Sequence, residues 1–149
     1  MSCVLHFFGD SADVAELQRL CPTEPCNVFR KGEPTSDRPN ARLARTSGIS
    51  LVASEAGFDH LELQQLEALA FIKRHHAELR AMCSVQGVET AEIKFGIFMR
   101  NVFVQGDSFE PDLIVEIARL RFRLVLSQYP PQGRAKRVKQ YRREVRSAA

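Results

Sequence analysis

The chain has no apolar run approaching the ~20 residues that a membrane span needs. Its start, Met1-Ser2-Cys3-Val4-Leu5-His6, has neither the basic region nor the long apolar core of a secretion signal. Cytoplasmic residence is therefore expected, with the four cysteines reduced. No G-x-x-x-x-G-K-[S/T] and no G-x-G-x-x-G occurs, so the common glycine-rich phosphate cradles are excluded. There is no internal repeat and no low-complexity segment. Carboxylates and histidines are present, but none is paired in a recognisable catalytic motif.

What is present is an ordinary domain composition. A chain of 149 residues corresponds to one domain, long enough to bury a core without disulfides or metal. The net charge of +3 is unevenly placed. After Gly133 come seven basic residues, Arg134, Lys136, Arg137, Lys139, Arg142, Arg143 and Arg146, and one acid, Glu144. The remaining 14 basic and 17 acidic residues leave the body at −3. The division is a single α+β domain over 1–131 and a basic C-terminal tail over 132–149. Val138, Tyr141 and Val145 are spaced three and four apart, so a helix would gather them on one side of the tail. The tail's positive field would attract acidic protein, nucleic acid or an anionic membrane; a solvated chain end is an equal reading.

The order of elements is legible. Val4–Phe8 reads as a strand ending at Gly9. Asp10, Ser11 and Asp13 offer caps to a short helix through Val14, Leu17 and Leu20, which Pro22 and Pro25 end. Asn27–Arg30 is a short strand, and residues 31–40 read as an exposed loop. Ile49–Ser54 is a strand. Asp59 with Glu62 has capping-box spacing and opens a long helix to about Val85. On it Leu66, Leu69, Ile72, His76, Leu79 and Met82 share one face. Glu92–Asn101 is a strand with Ile93, Phe95, Ile97 and Met99 on one side. Pro111 suits the first position of a helix after Glu110. A last strand follows and stops at Tyr129-Pro130-Pro131. The order β-α-β-β-α-β-α-β begins with the split pattern of ferredoxin-like folds, with one helix and strand added. A single sheet with helices mainly on one face is expected.

These residues resemble a bacterial group, domain-of-unknown-function family 4279. The likeness lies in the first strand ending at Gly9, the turn Cys21-Pro22-Thr23, and Arg30-Lys31-Gly32-Glu33 with Arg38. It continues in the long helix from His60 and in Pro111-Asp112-Leu113 leading to a strand that ends at Tyr129. It spans residues 4 to 130 and omits the tail. The resemblance implies a compact α+β domain and supplies no activity, cofactor or catalytic residue. Small bacterial domains of this general kind resemble immunity proteins that neutralise toxins, an analogy of fold alone.

Four groups of residues have side chains that could form a site. Cys21 and Cys26 have loose zinc-ligand spacing, but no second half-site exists, so two thiols at a turn is the preferred reading and no metal is expected. Cys83 lies near a helix C-terminus, which disfavours a thiolate. His6 reads as an ordinary strand histidine. Arg30, Lys31, Glu33 and Arg38 surround a turn glycine and could hold an anion, but a solvated loop with an ion pair is favoured. No cofactor is expected.

The function expected is that of a non-enzymatic domain that binds a macromolecule, in its sharper form an immunity protein. An acidic surface would steer towards a basic partner. Candidate contacts are Arg30, Lys31, Glu33, Arg38, Glu55, Asp59, Asp107 and Glu110. One alternative is nucleic-acid contact through the tail, although no aromatic stacking signature is evident in the body. The other is an enzyme whose site is not visible in one sequence. A homodimer through sheet edges or helix packing stays open.

Overall fold

A computed structural model describes residues 2–131. The tail expectation, with Arg134 to Arg146, lies outside those residues. The elements run β1 (Cys3–Gly9), α1 (Val14–Leu20), β2 (Asn27–Phe29), β3 (Ser47–Ser54), α2 (Leu61–Arg74), α3 (His76–Cys83), β4 (Thr90–Phe98), α4 (Pro111–Arg119) and β5 (Arg123–Tyr129). The described residues form an α+β fold, with four helices and one mixed five-stranded sheet. No helix among the described residues is long and apolar enough to cross a membrane.

The sheet order is β2-β3-β1-β4-β5. The first four strands pair antiparallel, and β4 and β5 pair parallel. Strand β1 sits in the centre and alternates strictly, with Cys3, Leu5 and Phe7 buried and Val4, His6 and Phe8 half-buried. Opposite it on the same face lie Ile49 and Leu51 of β3 and Ile93 and Phe95 of β4. All four described helices bury apolar residues against that face: Val14 and Leu17, Ala68 and Ile72, Leu79 and Met82, Leu113 and Ile117. Edge-to-face contacts of Phe7 with Phe122 and of Phe95 with Phe109, 5.6 and 5.2 Å between centroids, finish the core.

One local expectation holds and four are corrected. Helix α1 is capped by Asp13, whose Oδ1 accepts from the Glu16 N–H at 3.0 Å. Helix α2, however, takes His60 as its cap without a side-chain bond, not Asp59. The long helix bends at His75, where no proline or glycine stands. The bend lets α3 turn towards α1 while α2 packs on β3, β4 and α4.

The buried face of α2 also differs. Leu66 is 65% exposed, and Gln64 and Gln65 are buried in its stead with Ala68 and Ile72. At 100° per residue a face centred on 64, 68 and 72 turns Leu66 outward. The glutamines win the interior because they satisfy backbone groups. Gln64 Nε2 donates to Gly57 O at 2.9 Å and Gly96 O at 2.8 Å. Finally, β4 stops at Phe98, so Met99 lies beyond the strand and is exposed.

Candidate functional site

The connection from β4 to α4, residues 99–110, is held by its own side chains. The Arg100 guanidinium donates to Asp107 Oδ1 at 2.8 Å and to Gly106 O at 2.7 Å. Gln105 accepts from the Arg100 N–H at 2.7 Å and donates to Asp107 Oδ2 at 3.0 Å. From α2, Gln65 clamps the far end, donating to Ser108 O at 3.0 Å and accepting from Glu110 N–H at 2.8 Å. Glu110 then holds the N-cap position of α4 without a side-chain bond, and Pro111 takes the first helical position, as the sequence expected.

This bracing throws the tip of the connection into solvent. Phe103 is fully exposed, and Val102, Val104 and Met99 are exposed with it. Across from the tip, the N-terminus of α2 presents Leu63, also exposed. Between the N-terminus of α2 and the base of the connection, at Arg100 and residues 106–110, lies a cleft of about 440 Å³, lined by Asp59, His60, Glu62, Leu63, Arg100, Asp107 and Glu110 among others. Four carboxylates thus face one guanidinium, and that guanidinium is already committed to Asp107. The cleft can take a cationic group and an apolar side chain together. The sequence named Asp59, Asp107 and Glu110 as candidates, and the fold brings these three to one cleft. The apolar tip went unnoticed because Val102-Phe103-Val104 follows directly on a strand expected to end at Asn101, and three apolar residues in a row carry no local sign of exposure.

The other candidates lie elsewhere. Glu55 lines a larger cavity, about 740 Å³, between β3 and α2, with Glu24, Glu67, Arg74 and His75. There the Ser54 hydroxyl donates to Glu67 Oε2 at 2.6 Å and accepts from Ala56 N–H at 3.1 Å. His75 packs its ring on Phe71, 4.8 Å between centroids. Arg30, Lys31, Glu33 and Arg38 sit at the β2 end of the sheet, exposed. Lys31 pairs with Asp10, and its N–H donates to Ser47 Oγ at 3.0 Å. The stretch read as a loop folds back on itself: Gly32 N–H donates to Ala44 O, Ala44 N–H to Glu33 O, and Pro34 bridges to Leu43.

The remaining titratable groups point away from thiol chemistry. Burial raises the thiols of Cys3, Cys21, Cys26 and Cys83, Cys83 to about 11. The Cys26 thiol donates to Ser50 O at 3.3 Å. No group of three or more His, Cys, Asp and Glu is placed to hold a metal ion among the described residues. His6 is held below the ordinary imidazole value, by burial first and then by Lys94, against the pull of Glu92. Its Nδ1 lies 2.7 Å from Ser50 Oγ.

The chain matches no protein-family model, no curated protein and no solved structure.

Proposed function

We propose that this chain is a non-enzymatic, cytoplasmic binding domain that docks a protein partner through the Val102–Val104 tip and the acid-lined cleft beside it. The observation that carries it is Phe103, fully exposed between two exposed valines on a connection braced by Arg100, Gln105 and Asp107. Single exposed apolar residues are common, but a contiguous apolar tip marks an interaction site. The bracing lowers the ordering cost of binding, because little freedom is left to lose. Asp59, Glu62 and Glu110 give the surround a negative sign, suited to steering in a basic partner.

A toxin-neutralising immunity protein is the sharper form of this reading. A basic nuclease is the kind of toxin such a surface would meet. Membership of domain-of-unknown-function family 4279 and a ferredoxin-like core belong to the same proposal. The antiparallel order β2-β3-β1-β4 supports the latter.

The test is capture from the native host with tagged full-length chain, wild type and Phe103→Asp, at moderate salt. A central aromatic contributes about 2 kcal/mol or more, so the variant should retain less than about one thirtieth of a stoichiometric partner. Its thermal midpoint should be unchanged, since Phe103 packs on nothing. A partner that is toxic alone and harmless with this chain establishes immunity. A partner held equally by Phe103→Asp moves the interface elsewhere.

A further inference from the structure

We propose that the helix-free face of the sheet is a second binding surface, for single-stranded nucleic acid, with a base stacking at the slot between Phe8 and Phe29. This surface is separate from the protein-docking cleft and does not depend on it.

Because every helix packs on the Cys3/Leu5/Phe7 face, the opposite face carries no helix among the described residues. Register fixes what it presents. Phe29 of β2 lies opposite Gly48 of β3, and Gly48 lies opposite Phe8 of β1. Two phenylalanines thus flank a buried glycine, where a Cβ would meet Phe7 O at 2.2 Å and Phe8 Cβ at 2.7 Å, so β1 and β3 approach closely there. The opening is the cavity that both rings line, where a base would stack on the free part of a ring. Both rings are half-buried and so present part of their surface.

The neighbouring row is polar: Asn27, Ser50, His6, Glu92 and Arg123 follow one another across the sheet. His6, Phe8, Asn27, Phe29, Ser50 and Glu92 line a cavity of about 260 Å³. That is below the ~300–1,000 Å³ of a small-molecule site and suits one ring system. An apolar helix or a second sheet would want continuous apolar rows. Aromatic rings interleaved with hydrogen-bonding groups suit a base, which has an apolar face and a polar edge.

Charge favours the same ligand. Lys94 and Arg123 stand on the β4–β5 side of the slot, Arg123 within 3.8 Å of Glu92, and exposed Arg30 and Arg45 adjoin the lining residues Phe29 and Thr46 along the chain. These four could take phosphates on either side of the stacked base. Glu92, acceptor-only when ionised, repels phosphate but accepts from an exocyclic amine, so cytosine should be preferred to uracil.

The experiment is fluorescence anisotropy of full-length chain with labelled ten-nucleotide oligo(rC), oligo(rU) and a duplex at low and moderate salt. Oligo(rC) should bind best and the duplex least. Phe8→Leu and Phe29→Leu keep an apolar side chain but remove the π-face, and each should weaken binding by about 5- to 150-fold. Phe29→Tyr should restore it, and Glu92→Gln should erase the preference for cytosine. If a leucine variant unfolds, photo-crosslinking of 5-bromouracil-substituted oligonucleotide to wild type must map to Phe8 or Phe29. The proposal is overturned by absence of binding at low salt. It is equally overturned by affinity indifferent to the leucine variants, which would leave residues 132–149 as the only contact. A change of oligomeric state in those variants would make the face an interface between copies instead.

Discussion

Gly87→Ala is expected to destabilise the fold by about 2–5 kcal/mol through two separable costs. Gly87 has φ of +79°, a region that costs an L-residue about 1–2 kcal/mol. A Cβ there would also stand 2.1 Å from Ser11 O and 2.8 Å from Ala12 N. Both are backbone atoms in the turn after β1, tied to the Gly87 loop by Asp13 N–H donating to Gln86 O at 3.0 Å. No rotamer change relieves such a contact, and overpacking of this kind costs about 1–3 kcal/mol. Gly32 isolates the first cost. Its φ is +84°, yet nothing lies within 4 Å of its would-be Cβ. Gly32→Ala should therefore lose only about 1–2 kcal/mol. Any gain from a stiffer unfolded chain is common to both variants. Urea unfolding of the two against wild type, with equal m-values, gives the comparison. Losses equal within about 0.5 kcal/mol, the usual scatter for an uneventful site, would refute the close approach of the two loops.

Three further outcomes follow from described contacts. Gln64→Glu places a carboxylate against Gly57 O and Gly96 O, so the urea midpoint should fall more at pH 7.5 than at pH 5, where protonation restores a donor. The folded His6 pKa lies below its unfolded value, so the unfolded chain binds more protons below about pH 6.5. Stability should be fully present above that pH and decline beneath it, and the decline should be shallower in His6→Gln when unfolding midpoints are compared from pH 7.5 to 5. An aromatic disulfide reagent should modify exposed Cys26 first and buried Cys3 only in denaturant, with Cys26→Ser removing the fast phase.

Periodicity carried most of the architecture. The strict alternation of Val4 to Phe8, the proline before Asp112 and the stops at Pro22 and Gly87 are local signals, and each element they mark is present. What failed was anything decided by partners far along the chain. Nothing in the run Leu61 to Arg74 says that two glutamines outrank Leu66 for the interior. That follows from the carbonyls of Gly57 and Gly96 and the connection at 108–110, which need donors and acceptors. The bend at His75 likewise answers to where α1 lies. Asp59, Asp107 and Glu110 were legible as candidates because acids near helix starts are conspicuous, but their shared cleft was not. Phe8 and Phe29 were invisible as a pair, since 21 positions and a helix separate them and only the glycine at position 48 joins them across the sheet.

The two outer strands of the sheet are unequal, and this limits how copies can associate. Strand β2 pairs over three residues, whereas β5 runs for seven and among the described residues pairs only with β4. A fibre built edge to edge needs two competent rims per molecule, one to offer and one to receive. Here one rim is long and the other is little more than a stub. Joining through β5 would use the competent rim of both copies at once and leave nothing to extend from. Association along this route ends at a two-fold pair, and the asymmetry of the sheet is itself a guard against endless assembly.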